Sequence, residues 1–503
     1  MRRVAEPVCS PAIMPGTSPD GSSTSQTDER SPLERALGIV TEVKAGEGIT
    51  ALLLTLNVFL LLTAYYVIKP VREGLILAMN SGAEYKSYLS AAIAISLLVA
   101  VPAYARVASR VAKNKLVVGV TLFFAAHLAV FWMLSKLPAA EKNLGFVFFV
   151  WVGIFNMMVV AQFWAFANDL YSQEQGKRLF ALVGIGASLG AALGAYVTNF
   201  LQHTLGLGVY ELLIVSALLL VGCATLTQLA HAREHRAEAR EPGHPFREAP
   251  PSKAKDTPPA EKERTGAFAL VFQHKYLLLI AIFSLVFTFV NTNGEYMLSV
   301  LVKAQAKEAA AQLGIVGDEA VRTFTKSYGT TFYGTFFLWV NVIGVAVQTF
   351  AVSRIVKLGG LRLAFFILPV IALFDSVALL TLPALLAVSP LSVLRPGKIA
   401  ENAADYSVNN TVRNMLWLPT STEMKYKAKQ AVDTFFVRMG DVASAALVYL
   451  GGSLFGWPVR NFAMVNAGLI VVWLVVARSI VRENQAMTNL ELPNDDAKSG
   501  ATA

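Results

Sequence analysis

Apolar runs long enough to cross a bilayer recur along the whole chain, and they exclude most other folds. A helix spanning the hydrocarbon core needs about 20 predominantly apolar residues. Runs of that kind centre on 51–68, 89–107, 116–134, 144–167, 179–200 and 212–229. After a polar stretch they resume on 276–302, 332–352, 363–380, 385–408, 431–450 and 462–480. Lipid offers the backbone no hydrogen-bond partner, so each run is expected as a helix. The expected fold is an all-α membrane protein of about twelve transmembrane helices in two six-helix halves, the tenth run being the most polar. Composition agrees: 55% of residues are hydrophobic and 15% charged, against about 25% charged in soluble domains.

The polar segments divide the chain. We expect a disordered cytoplasmic tail over 1–46, a helical bundle over 47–230, a polar linker over 231–268, a second bundle over 269–483 and a disordered tail over 484–503. The net charge of +9 sits mostly outside the apolar runs. It reads as topology signal and membrane-surface contact rather than a nucleic-acid footprint. Arg30, Arg35, Lys44, Arg106, Arg110, Lys113, Lys115, Lys177, Arg178 and the Lys425–Lys427–Lys429 loop fall on one side, which the positive-inside rule makes cytoplasmic together with both termini. Exterior loops carry fewer, chiefly Lys303, Lys307, Arg322 and Lys326. Two six-helix halves joined by a linker suggest a major-facilitator-like architecture, with a substrate site between the halves near the midplane.

The informative residues are the polar ones inside the runs. Lys69, Arg72 and Glu73 share one helical face around Pro70. They are either an interfacial snorkel and a loop ion pair or charge presented to a cavity. In the seventh run Ser284, Thr288, Asn291 and Glu295 form a polar stripe that must face protein or water. In the fourth, Gln162 and Asp169 share a face, although Asp169 also suits an interfacial cap. In the eighth, Asn341 and Gln348 repeat that spacing. The tenth places Glu401, Asp405, Asn409 and Arg413 at successive i+4 steps, favouring an aqueous cavity over lipid. In the eleventh, Asp433, Arg438 and Asp441 read as a structural ion-pair network. Gly186, Gly190 and Gly194 form a small-residue ridge for close helix packing.

Collected, Lys69, Arg72 and Arg413 supply cations, Asp169 and Glu295 carboxylates, and Asn291 and Asn409 neutral partners. That set suits a multiply charged anion, since a guanidinium matches phosphate or carboxylate. Glu73, Asp405 and Asp433 are candidates for gating or coupling. Neither a Walker A sequence nor a nucleophile–base pair occurs, so we expect a transporter, not an enzyme, with no cofactor. Cys9 and Cys223 lack partners at metal or disulfide spacing, His231 and His235 lack a metal motif, and no metal is expected. A major-facilitator-like, proton-coupled carrier for another organic anion or metabolite and a non-transporting receptor or scaffold remain as alternatives.

Five stretches carry a family resemblance: 65-YYVIKPVREGLIL-77, 81-SGAE-84, 163-FWAFANDLYSQEQGKRLF-180, 290-VNTNGEYML-298 and 405-DYSVNNTVRNMLWLPTSTEMKYKAKQAVDTFFVRMGD-441. In these the chain resembles the nucleotide transporters that exchange ATP for ADP in plastids and obligate intracellular bacteria, with their relatives in free-living bacteria. The resemblance implies a nucleotide permease of a bacterial cytoplasmic membrane. It implies substrate-critical charges at Lys69 and Arg72, Asp169, Glu295 and Arg413. The exchangers usually have an acidic residue where Pro70 stands and lysines where Arg72 and Arg413 stand, which places this chain nearer the free-living branch. The expected partners are a nucleotide or other phosphorylated anion and the lipid bilayer, with no nucleic acid, and the chain is expected to act as a monomer.

Overall fold

The computed structural model describes residues 30–39, 41–108, 110–240, 266–421 and 424–491. The first half comprises α1 (Gly48–Leu77), α2 (Gly82–Ala108), α3 (Lys113–Leu134), α4 (Pro138–Leu170), α5 (Gln173–His203) and α6 (Glu211–Arg240). The second comprises α7 (Lys275–Gln312), α8 (Asp318–Phe350), α9 (Val352–Leu386), α10, α11 and α12 (Val459–Glu491). α10 joins Pro390–Ala404 to Asn410–Met415 through a π turn at Asp405–Asn409. α11 carries π turns at Met424–Ala428, Val432–Phe436 and Tyr449–Leu454 around Lys429–Ala431 and Val437–Val448. Among the described residues, nine of these helices are long and apolar enough to cross a membrane; α2, α10 and α11 bring the long segments to twelve.

Some expected boundaries shift. The tails and linker lie largely in 1–29, 241–265 and 492–503, outside the described residues, as does Cys9. Where the chain is described, Ser31 and Glu34 form a capping box on a short helix, Pro32–Leu37, α6 continues to Arg240 and α12 to Glu491. Arg322 and Lys326 belong to the first turns of α8 rather than to a loop. The Lys425–Lys427–Lys429 segment is helical as well.

The halves repeat one packing pattern. α1 lies along α5 and α6, and α7 lies along α11 and α12; across the interface α8 packs on α5 and α1 while α2 packs on α11 and α7. One large apolar core joins α1, α3, α4, α5 and α6 with α8 and takes in parts of the other second-half helices, such as Met297 and Val302 of α7 and Leu394 of α10, and a second lies among α7, α9, α10, α11 and α12. Close approach rests on missing side chains. A Cβ on Gly186, Gly190 or Gly194 would run into the backbone oxygen of Thr55, Phe59 or Thr63 of α1, and Thr63 Oγ1 donates to the Gly190 carbonyl at 3.2 Å. In the other half Gly440 of α11 meets the Leu285 carbonyl and Thr288 of α7 in the same way.

α1 continues through Pro70 to Leu77. Proline lacks the N–H that would serve the carbonyl four residues earlier, which is that of Tyr66. Thr198 Oγ1 of α5 reaches this carbonyl at 3.4 Å, the kind of side-chain substitution that lets a membrane helix keep a proline. The helix therefore carries Lys69, Arg72 and Glu73 onward on one face.

At the end of the bundle where the chain enters α1, polar pairs lie within each half. Arg178 grips Glu47 through both carboxylate oxygens at 2.9 and 3.1 Å and donates to the Glu42 carbonyl. Thr50 bonds Glu234, and Lys275 pairs with Glu483. Burial by itself would raise the Glu47 pKa, but hydrogen bonds from Arg178, the Lys44 amide and Gln175 outweigh it and hold the carboxyl below its ordinary 4.5.

Two outcomes follow from this packing. Gly190→Val should cost about 3 kcal/mol, the upper end for overpacking because a backbone must yield. Gly184→Val, which meets nothing within 4 Å, should leave thermal unfolding in detergent unchanged. A depressed folded-state pKa stabilises above the unfolded value and is lost as pH falls through the folded one. The melting temperature should thus drop as pH falls below about 4.5, and Glu47→Gln should flatten that drop.

Candidate functional site

Between the halves lies a cavity of about 210 Å³. Its walls come from α1 (Lys69, Arg72, Glu73), α2 (Lys86, Ser87, Ser90), α7 (Asn291, Thr292, Glu295), α8 (Phe337) and α10 (Asn402, Tyr406), with Phe149, Ile93 and Tyr296 completing the apolar part. The one-face spacing of Lys69, Arg72 and Glu73 and of Asn291 with Glu295 thus delivers charge from both halves to one volume.

The charges are matched in a chain. Glu73 is 1% exposed. It accepts from Arg72 Nε at 3.0 Å and pairs with Lys86 Nζ at 2.8 Å. Lys86 reaches on to Glu295 at 3.3 Å and Ser299 at 3.1 Å. Asn402 of α10 donates to the other Glu295 oxygen at 3.2 Å. Beyond Glu295, Lys398 of α10 donates to Asn291 at 3.2 Å and pairs with Glu401 at 2.7 Å, in space left by the absent side chain of Gly294.

Lys69 stands outside this chain. Among the described residues no carboxylate lies within 4 Å of it. Its ammonium instead sits 3.8 Å from the Phe337 ring centre, 5.3 Å from that of Tyr66 and 3.4 Å from the Tyr406 hydroxyl. Arg72 lies over Phe149 at 4.5 Å. Three basic side chains thus face two carboxylates around the cavity.

The other sequence candidates gather elsewhere. A second cavity, about 270 Å³, is lined by Ser284, Asn410, Arg413, Asn414, Lys429 and Asp433 together with apolar residues. Arg413 pairs there with Asp433 at 3.3 Å. The expected Asp433–Arg438–Asp441 network is therefore divided, for Arg438 pairs with Asp441 alone at 3.1 Å. The α7 stripe runs from one cavity to the other: Ser284 lines one, and Asn291 and Glu295, about 10 and 16 Å along the axis, line the other. Asn409 is buried and donates to Asp405 at 2.7 Å within the α10 π turn, where Asp405 borders a small third void. Asp169 is exposed at the end of α4 and lines none of the three cavities. Gln162, on the same helix, is buried with both amide atoms unpartnered.

Lys86, Lys398 and Asn402 are the residues that sequence reasoning missed. The second apolar run begins at 89, which leaves Lys86 in a loop, whereas α2 begins at Gly82. A lone lysine one turn into a helix was the available signal.

At the end of the bundle away from the chain termini, the halves meet through polar contacts. Glu141 of α4 binds Arg322 and Lys326 of α8 at 2.8 and 3.0 Å and accepts from Tyr210 at 2.8 Å. Lys303 of α7 donates to the carbonyls of Met79 and Asn80, and Tyr88 of α2 meets Ser453 of α11 at 2.8 Å. Gly74 of α1 lets Thr330 and the Lys326 backbone of α8 touch the helix directly.

The family model described as TLC ATP/ADP transporter matches residues 137–484, which leaves α1, α2 and α3 before it. ADP,ATP carrier protein 1 of Rickettsia typhi is 21% identical over 502 residues, covering 90% of this chain and 96% of that protein. ADP,ATP carrier protein 1 of Chlamydia muridarum is 24% identical over 353 residues, 65% of this chain, so the chain spans 62% of the length of that relative. Among solved structures, a bacterial homologue of the iron transporter ferroportin in an inward-facing state has a TM-score of 0.57 at 11% identity, over 86% of this chain and 98% of the other. A mutant of the nucleoside transporter NupG has a TM-score of 0.52 at 14% identity, over 86% and 99%. At these identities the likeness is one of fold.

Leaving one partner of a buried pair uncompensated costs about 3–5 kcal/mol. Lys86→Met should fall at the lower end, because Arg72 still serves Glu73. The double variant Lys86→Met/Glu73→Gln should recover most of that loss. Thermal unfolding of the three proteins checks this, and a double variant less stable than Lys86→Met would contradict it.

Proposed function

The chain belongs to the TLC ATP/ADP transporter family, and from that premise we propose that it moves nucleotides across the membrane by ATP/ADP-type exchange through the central cavity. Lys69 carries the reading. A cation buried to 8% exposure, ringed by aromatic faces and lacking a carboxylate, has its charge met by an anion that enters the cavity. Phosphate oxygens fit that role, with Arg72 offering a forked donor. Asn291, Asn402 and Tyr406 supply neutral hydrogen-bonding groups, and Phe337 and Tyr296 supply apolar faces for a nucleoside.

Alternating access fits the same geometry. The cavity is smaller than the roughly 300–1,000 Å³ of ordinary ligand sites, so loading requires the halves to part. An incoming phosphate competes with Glu73 and Glu295 for Arg72 and Lys86, and so loosens the link from α1 and α2 to α7. In this reading, both termini lie in the cytoplasm, the Glu141–Arg322–Lys326 contacts close the exterior face, and the second cavity is a vestibule. Arg413, with Asp433, Asn409 and Asp405 nearby, receives the anion there before it moves along the α7 stripe to Lys69, Arg72, Asn291 and Glu295. Asp169 takes part only from the surface at the end of α4.

The test is uptake of labelled ATP by purified protein in liposomes loaded with unlabelled ADP. Uptake should depend on internal ADP. A hydrogen bond to a charged group is worth about 1.5–3 kcal/mol, so Lys69→Ala should reduce uptake by about ten- to a hundredfold. Full uptake in the double variant Lys69→Ala/Arg72→Ala would overturn the assignment.

A further inference from the structure

Behind the central cavity, in the second half, two carboxyl groups meet with one cation between them. Asp375 of α9 is 4% exposed, and its Oδ1 has no hydrogen-bond donor among the described residues. Its carboxyl group lies against Gly397 of α10, one turn before Glu401, whose carboxyl group faces it. Gly397 makes this approach possible, because a Cβ there would collide with Asp375 Oδ1. Lys398, 1% exposed, is committed to Glu401 at 2.7 Å and to Asn291 at 3.2 Å. Among the described residues, α8 and α12, the other helices packed along α9, bring no charged group to bear on Asp375; only Glu401 and Lys398 do so. Asp405 lies one turn beyond Glu401 and is served by Asn409.

Two carboxylates placed close together at a buried site repel each other, and one ammonium offsets the charge of only one of them. A void of about 10 Å³ is bordered by Glu401, Asp405, Ala372, Trp473 and Asn291, close to the volume that admits a single water. Asn291 also lines the central cavity.

We propose that Asp375 and Glu401 form a one-proton site and that its loading and discharge are coupled to nucleotide movement through the central cavity. In the discharge step the O–H bond of the acid breaks, the proton passes to water on the Asn291 side, and the electron pair stays on the carboxylate. Lys398 is then drawn toward two carboxylates and releases the Asn291 side-chain oxygen to the substrate. When the proton returns, Lys398 reclaims Asn291. Asp375 is a positioning residue, since it acts on the substrate only through Lys398 and Asn291. The coupling rests on the nucleotide reading above, whereas the proton site does not.

Two measurements on the full chain in liposomes separate these parts. Infrared spectra at neutral pH should show a protonated carboxyl C=O band that shifts in heavy water and is lost in Asp375→Asn. If neither Asp375→Asn nor Glu401→Gln removes such a band, there is no proton site. In uptake assays, a pH gradient should drive labelled ATP accumulation by about tenfold per pH unit for one coupled proton. Asp375→Asn should lose that stimulation and slow ADP-dependent exchange without abolishing it, and its melting temperature reports whether it has folded. Wild-type uptake that ignores the gradient overturns the coupling. Absence of any nucleotide uptake, with the carboxyl band present, overturns the nucleotide reading and the coupling together and leaves the proton site upheld.

Discussion

Glu73 has almost no contact with solvent, and its ionised form survives there only because Arg72 and Lys86 both reach it. Taking such a group out of water costs several kcal/mol, which only well-placed partners offset. Arg72 is its neighbour in sequence, but Lys86 arrives from α2 and extends to Glu295 on α7. The relation between the two halves is thus written into the charge balance of one carboxylate. Apolar packing brings helices together with little preference for register, whereas a buried ion must meet its partner at hydrogen-bonding distance. Any movement that separates α2 from α7 has to find Lys86 and Glu295 other partners. Anions and protons are the species able to supply them.

The rest of the architecture keeps that network in place. α1 can hold Lys69, Arg72 and Glu73 toward the interface because Gly186, Gly190 and Gly194 let α5 lie against its backbone and because Thr198 takes over the carbonyl freed by Pro70. The same proline that looks like a helix end in the sequence is accommodated by a threonine more than a hundred residues away. On the other side, π turns in α10 and α11 interrupt the regular ladder next to Asp405, Asn409 and Asp433. Such turns are frequent at functional sites, and here they accompany the shift of Arg413 and Asp433 to a cavity separate from Lys69.

Much of the site was legible because charge inside an apolar run has no inconspicuous explanation. Lys69, Arg72, Glu73, Asn291 and Glu295 were found by helical spacing alone and do share one cavity. Arg413 stands out by the same spacing but faces another volume, since spacing along a helix fixes the face and not the depth at which that face meets its neighbours. Lys86 escaped notice because an apolar run marks where a helix is hydrophobic, while its polar first turns resemble a loop. Arg322 and Lys326 were misread for the same reason.

The number of spanning helices, their division into halves and the faces that carry charge were determined by the sequence itself, because hydrocarbon permits few alternatives to an apolar helix and makes each intramembrane charge conspicuous. Which charges are partners was decided only by the tertiary structure. Glu73 with Lys86 and Lys398 with Asn291 join residues on different helices at 2.8 and 3.2 Å. No periodicity within a single helix encodes those distances; they depend on where glycines allow backbones to touch and on which cation arrives first at a buried carboxylate.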